Sequence, residues 1–373
     1  MSSSFQVPAA RTKAASDHAH LLNLLDHLPD PRSRRGVRHG AAALVAVAVA
    51  AMAVGMRGFT AIGQWVAGAD AHVLTELGLE GPAEESTFRR LFAGLDADRL
   101  DQILGLWATT RAGTVQDRRV IAVDGKSVRG AREPGGLAPH LVAALDAANG
   151  LVLGQGKAHS QGGEIGAARD LLGVLDVSGA VVTMDALHAQ HTTAEQVLEQ
   201  GGDYVLTVKA NQPTLFGQLK RLPWKDVAAT RRTERSHGRR ITRTIKAVDV
   251  PGWIEFPGAA QVAQLRRTTT RNGKKTVEVV YLVTSADARA ARPQVLAAWV
   301  QSHWHIENRL HWVRDVTFGE DACRIRRGAA PRVMASLRGL VIALLRLAGW
   351  DNIAAGLRHH ASRDHQVIGL LDE

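Results

Sequence analysis

Val120-Ile121-Ala122-Val123-Asp124-Gly125 is a short, unbroken apolar run that stops on an acid and a glycine. Ala180-Val181-Val182-Thr183-Met184-Asp185 repeats the arrangement further along. Runs of this length, rich in β-branched residues, read as strands buried on both faces. Between them, His140–Asp146 and Leu151–His159 read as two more strands, and Ala148-Asn149-Gly150 as the turn joining them. Glu164–Leu175 has helical spacing through Ile165, Ala168, Leu171, Leu172 and Leu175. Thr193–Glu199 reads as a helix with Thr192 or Thr193 as its N-cap, and Tyr204–Val208 as a fifth strand.

The order is therefore strand, strand, strand, helix, strand, helix, strand. A first meander followed by strands alternating with helices is the element order of a ribonuclease-H-like α/β core. From Asn211 to Arg292 that order is interrupted by Pro213, Pro223, Pro251 and Pro257. Ile241–Val250 and Val262–Thr284 read there as antiparallel strands, turning at Asn272-Gly273. Helical spacing returns at Gln294–Val313 and again at Val333–Leu347. Upstream, residues 18–115 read as an all-helical domain, with a helix from His18 to His27 stopped by Pro29. Further helices are expected at Ala41–Met56, Thr60–Ala67, Glu85–Ala93 and Asp98–Ala112. The organisation expected is a disordered 1–17, a helical 18–115, a core of 116–210 with 293–348, a β-rich insertion at 211–292, and a tail at 349–373.

Composition narrows the class. The chain has 373 residues, 45% of them hydrophobic, which excludes a disordered protein and allows a large core. Its single cysteine, Cys323, excludes a disulfide scaffold and a Cys-rich zinc site. Lys+Arg 46 against Asp+Glu 36 leaves a net charge of +10, which points to an anionic partner, nucleic acid first. An Arg-rich genome is the plainer account of the same excess. Ala41–Met56 is shorter than the roughly 20 residues a membrane span needs, and Ala is weakly hydrophobic, so a buried helix in a cytoplasmic, non-membrane protein is expected.

The acids carry the chemistry. Asp124 and Asp185 each end a strand, and if those strands are neighbours both carboxylates project at one sheet edge, where α/β sheets place their sites. Glu307, on the helix Gln294–Val313, is the third carboxylate expected; Asp315, Glu320 and Asp321 stand just downstream as substitutes. His303, Glu307, His311 and Arg314 share one face of an α-helix by their spacing, a carboxylate flanked by His and Arg. Trp304 and Trp312 read as core anchors of that helix. Oxygen ligands of this kind suit Mg²⁺ or Mn²⁺. Two such ions about 3.5–4 Å apart activate a nucleophile and stabilise a leaving oxygen in phosphodiester chemistry.

Longer stretches carry a family resemblance. They are Leu28-Pro29-Asp30-Pro31-Arg32, Glu85-Ser86-Thr87-Phe88-Arg89-Arg90, Ile121-Ala122-Val123-Asp124-Gly125-Lys126 and Asp185-Ala186-Leu187-His188-Ala189-Gln190. Tyr204–Pro213, His303–Asn308 and Leu310–Phe318 continue the series. With these the chain resembles the DDE transposases of bacterial insertion sequences, in particular the ISAs-type group that includes the H-repeat-associated proteins. The likeness runs over roughly residues 20 to 370. It implies a ribonuclease-H-like core whose DDE triad falls on Asp124, Asp185 and Glu307, and a mostly β insertion before the Glu. It implies a DNA transposase that cuts transposon ends and joins them to target DNA, as a homo-oligomer in a synaptic complex. The wider superfamily's Tyr-Arg-Glu-Lys signature is altered: Val300, His303 and Arg314 stand at the positions of its Tyr, Arg and Lys. Gly163 precedes Glu164 where the group tends to have a polar residue.

DNA contacts are expected from clustered arginines, which pair bidentately with phosphate. Thr230–Lys246 holds Arg239 and Arg240 among seven cations against Glu234, and Arg324, Arg326, Arg327 and Arg332 form a second cluster. A solvated surface is the alternative for each. Lys126, Arg129 and Lys209 are expected near the triad as phosphate contacts, with Arg314; His188 and Gln212 are expected to position the strand. End recognition is assigned to the helices of 18–115. A nuclease of the same fold that does not join strands, and a decayed copy that only binds DNA, are the competing readings.

Overall fold

The computed structural model describes residues 21–371 apart from 34, 36, 134, 159–162 and 237. The segment 1–17 expected to be disordered lies outside the described residues, as does 18–20 of the helix read from His18. Six helices come first: α1 (Leu21–Leu25), α2 (Ala41–Ala53), α3 (Phe59–Gly68), α4 (Ala71–Glu76), α5 (Glu85–Gly94) and α6 (Ala97–Thr109). α2 is apolar on every side, and such a helix belongs in an interior. Its residues from Leu44 to Ala53 are at most 1% exposed. No helix among the described residues is long and apolar enough to cross a membrane. α4 was not legible as a helix; Asp70 caps it, accepting from the His72 N–H at 2.8 Å.

The core strands follow as β1 (Val120–Ser127), β2 (His140–Asp146), β3 (Val152–Lys157), β4 (Val181–Met184) and β5 (Asp203–Val208). α7 (Glu164–Val174) joins β3 to β4, and α8 (His191–Glu199) joins β4 to β5. β1 pairs antiparallel with β2 and parallel with β4, and β4 pairs parallel with β5. Val123 stands opposite Met184 in the β1–β4 register, so the chain leaves both strands side by side at Asp124 and Asp185. α6 lies on the edge strand β3 at very short range: a Cβ on Gly105 would come 2.4 Å from the Leu153 carbonyl oxygen.

The insertion does not form a separate body. After α9 (Pro213–Arg221) come β6 (Thr230–Ser236), β7 (Arg239–Asp249), β8 (Gln261–Arg271) and β9 (Lys274–Thr284). β9 pairs antiparallel with β5, giving a nine-stranded sheet in the order β3-β2-β1-β4-β5-β9-β8-β7-β6. The β8–β9 turn at Asn272-Gly273 has positive φ at both residues (48° and 75°), as its sequence suggested. α9 and β6 were not read from the sequence.

α10 (Pro293–His305) packs across β1, β4 and β7, where Leu296, Trp299 and Val300 meet Val120, Val181, Val205 and Leu282. Two π-helical stretches, Ile306–His311 and Val313–Thr317, prolong it. α11 (Ala330–Leu347) runs from the sheet edge onto α2. Residues 349–373, read as a tail, contain α12 (Ile353–Ala361) and α13 (Val367–Leu371), and both pack on α2.

Candidate functional site

A cleft of about 220 Å³ opens at the sheet edge where β1 and β4 end. Asp124, Asp185 and Glu307 all line it, with Lys209, Arg243, Arg267 and Glu278 contributed by β5, its following loop and the insertion. The first two acids are there because parallel neighbours end together. Glu307 arrives from the π-helical stretch, whose wider turn is found frequently at functional sites.

Atoms of Asp124, Glu307 and His311 able to bind an ion lie within 4.8 Å of one another. His311 Nδ1 is 3.6 Å from Asp124 Oδ2 and 3.8 Å from Glu307 Oε2. The Asp124 carboxyl is pushed up to about 8, first by burial and then by the facing Glu307. Glu307 is held down to about 2, chiefly by His311. Negative charge accumulated in a half-buried place raises proton affinity, and a divalent cation relieves the same strain. The oxygen donors of Asp124 and Glu307 therefore fit a hard cation, and His311 adds a nitrogen. Sequence reasoning put His311 on the face of Glu307 without giving it a role. Asp185 lines the same cleft outside this set, with one carboxylate oxygen accepting the Leu187 N–H at 2.9 Å.

The other acids considered for the third position are engaged elsewhere. Asp315 binds the Lys126 ammonium at 2.6 Å, and Asp321 lies 3.8 Å from Arg129. Glu320 is fully buried between Arg314 (2.8 Å) and Arg338 (2.9 Å).

Four of the residues expected at DNA are placed otherwise. Arg314 is 1% exposed and spent on Glu320 and Gln155: the widened turn carries it off the face that His303, Glu307 and His311 share. Lys126 is 9% exposed and neutralised by Asp315. His188 is completely buried against Glu164. Gln212 donates its amide to the Ala189 carbonyl and to Gln190, bracing the turn after Asp185. Lys209 lines the cleft and is exposed; Arg129, Arg239 and Arg240 are exposed too. In the second arginine cluster, Arg332 is tied to Asp98 and Asp101. Trp304 and Trp312 are about half exposed rather than core anchors; Trp304 lines the cleft under the Arg267 guanidinium.

One cluster was missed. Glu164, at the start of α7, lies 2.7 Å from His140 on β2 and 3.1 Å from His188 in the turn after Asp185. His188 is the main cause that holds its carboxyl below the ordinary range. Gly125 makes the approach possible, since a Cβ there would sit 2.5 Å from both Glu164 and His140. Glu164 thus ties the segment after Asp185 to β2, the antiparallel neighbour of the strand that carries Asp124. Three residues so far apart in sequence gave no local signal.

Sequence comparisons identify the family, and membership of it implies an enzyme that cleaves nucleic acid. The chain belongs to the family described as "Transposase DDE domain", which matches residues 115–345, and a family described as associated with that domain matches residues 22–108. It is 30% identical to the "H repeat-associated putative transposase YhhI" of Escherichia coli K12, over 87% of this chain and 90% of that one. It is 29% identical to the "Putative transposase YncI" of Escherichia coli O157:H7 over 87% of each, and 36% identical to YbfL of Escherichia coli K12 over 61% of this chain and 64% of that one. Among solved structures it is similar to a piggyBac transposase in a synaptic complex with hairpin DNA (TM-score 0.42, 11% identity, 91% of this chain and 75% of that chain). Family membership implies the use of a divalent metal.

Proposed function

We propose that this chain is a DNA transposase that cuts the ends of its element and joins them to target DNA, with Asp124, Asp185 and Glu307 as its DDE triad. The observation that carries the reading is the β1–β4 register, which delivers Asp124 and Asp185 to one edge, where Glu307 meets Asp124. The sheet order β3-β2-β1-β4-β5, with β1, β4 and β5 parallel, supports a ribonuclease-H-like core.

Asp124 and Glu307, with Asp185 beside them, would hold two Mg²⁺ ions, with Mn²⁺ able to substitute. Bound there, the metal supplies an activated water or 3′-hydroxyl and a clamp on the leaving oxygen. The chain's own residues do the rest. The three carboxylates would hold the ions that face the reacting phosphate, and no covalent protein intermediate is required. Lys209 at the cleft places a cation for the DNA backbone, and Arg129 extends that contact outward. The transposon ends are read by the helices of 18–115, the partners are terminal inverted repeats and target DNA, and the chain works as a homo-oligomer on the nucleoid in the cytoplasm.

The test is a plasmid carrying the gene's flanking DNA, incubated with the full chain and Mg²⁺. Ends are expected to be released by the wild type and retained by Asp185→Asn. Pre-cleaved ends are expected to join a target plasmid; release without joining would assign a nuclease instead. Duplex binding with neither reaction would assign a decayed copy.

A further inference from the structure

The four strands of the insertion carry cations on both faces, and the faces are chemically unlike. Successive side chains on a strand alternate between faces. The face toward α10 carries Glu234 and Glu278, and the third acid of these strands, Asp249, ends β7 at an odd position, on the same side as Arg243 by alternation. The two glutamates engage its arginines: Arg243 at 2.9 Å, Arg267 at 3.1 Å and Arg232 at 3.4 Å. The opposite face is a groove of about 560 Å³ that contains Arg231, Arg240, Lys246, Arg266 and Lys275, with Lys225 at its end. Threonines fill the spaces between them, and no acid lines it. Among the described residues none of Lys225, Arg231, Arg240, Arg266 and Lys275 makes an ion pair, whereas Lys246 donates to the Trp224 carbonyl.

Like charges gathered on one strand face repel unless an anion lies over them. The register sets Arg240 directly across from Arg235, and Thr270 alone separates Arg240 from Lys275, as Thr244 alone separates Arg231 from Arg266. The dimensions suit the anion. The lining runs from Arg240 to Lys246 on β7 and from Gln264 to Thr270 on β8, about 20 Å at 3.3 Å per residue, which is a little over half a turn of a duplex. Cations and hydroxyls suit phosphates. No exposed aromatic side chain lines the groove on which unpaired bases could stack, since its one aromatic residue, Trp224, is 7% exposed.

We propose that this outer face binds a duplex DNA through its phosphates, as a site separate from the cleft. The proposal rests on the reading of the chain as a DNA-acting enzyme. Its geometric content is new: the sheet stands between the groove and the carboxylates, so the duplex on the groove is not the one this chain cuts. Each chain then holds two DNA segments, one on either side of the same sheet. Arg240 serves the outer segment, while its neighbour Arg239 faces the other way.

The experiment is a salt series of duplex binding, by fluorescence anisotropy, with the full chain and a random-sequence duplex of about three helical turns. The variant combines Arg231→Ala, Arg240→Ala, Arg266→Ala and Lys275→Ala. Each lost phosphate contact flattens the slope of log affinity against log salt by about 0.9, so four contacts give a change of about 3.6. The expected result is that loss, equal for all sequences, a fall from two bound duplexes per chain to one, and unchanged Mn²⁺ binding. If the fourfold variant loses its melting transition, Arg240→Gln with Arg266→Gln reads the same slope, with an expected change of about 1.8. A wild-type slope and stoichiometry in these variants would overturn the outer site and leave the triad untouched. A preference of the groove for single-stranded DNA would overturn it as well. Cleavage defects of Asp185→Asn report on the functional reading alone.

Discussion

The nine-stranded sheet is made of two unlike halves. β1, β4 and β5 are apolar runs with helices over both faces, and their edge carries acids. β6 to β9 are threaded with arginine, lysine and threonine, and their far ends are exposed. The first half derives its stability from burial and focuses negative charge at one cleft. The second extends the sheet with hydrogen bonds and presents positive charge. A sheet continued through β9 thus joins an acidic cleft to a cationic surface without a hinge between them.

Substitutions should separate the halves, and the largest effect should come from the cleft. Asp124→Ala is expected to lower strand cleavage at least about 10³-fold, a loss of roughly 4 kcal/mol of transition-state stabilisation, with duplex affinity changed less than twofold. Plasmid cleavage beside an anisotropy titration checks both; a parallel fall in binding would merge the two halves functionally.

Next in size is the ion triad Arg314–Glu320–Arg338 behind the cleft. Removing one partner of a buried pair leaves an uncompensated charge and costs about 3–5 kcal/mol. Glu320→Gln should therefore depress the melting temperature by several degrees. Arg267→Ala, on a half-exposed pair of the far half, should cost less than about 1 kcal/mol and lower the melting temperature correspondingly less. Equal shifts would break the contrast.

Glu164→Gln tests the bracing of the Asp185 segment. Supporting residues of a metal site typically change affinity 10–100-fold, so Mn²⁺ affinity by electron paramagnetic resonance should fall by about that factor while the melting temperature holds. Glu164→Asp should restore part of it. Unchanged affinity would make the His140–Glu164–His188 cluster plain packing.

The pH dependence follows from Asp124. Its carboxyl in the fold, about 8, lies above its ordinary value of 3.8, so between these the folded chain holds a proton that the unfolded chain has released. That contribution is full below about pH 4 and is lost as pH rises through about 8. Metal-free wild type should thus lose melting temperature from pH 5 to pH 8 relative to Asp124→Asn. Parallel curves for the two would overturn the assignment.

The smallest effect belongs to the far tip. Gly273→Ala forces a Cβ onto a residue with φ of 75°, at a cost of about 1 kcal/mol, and should leave Mn²⁺ binding untouched.

The same contrast explains what the sequence revealed. Apolar runs that end on an acid made β1 and β4 legible, and with them Asp124 and Asp185. β6 was invisible because Thr-Arg-Arg-Thr-Glu-Arg-Ser alternates nothing apolar; only its pairing with β7 makes it a strand. The burial of Arg314 could not be foreseen, because its partners Gln155 and Glu320 converge only in the fold. The π-helical turn likewise left no mark, since the His and Glu spacing suits an ordinary helix equally well.

α2 has a bearing on how the chain is made. α11, α12 and α13, which cover this helix, are translated long after it. Until then, its thirteen uncharged, apolar residues are covered only in part, by α1 and α3, and nascent chains with such surfaces are prone to aggregate or to recruit chaperones. A chain cut before residue 330 would therefore leave α2 without the cover of α11, α12 and α13.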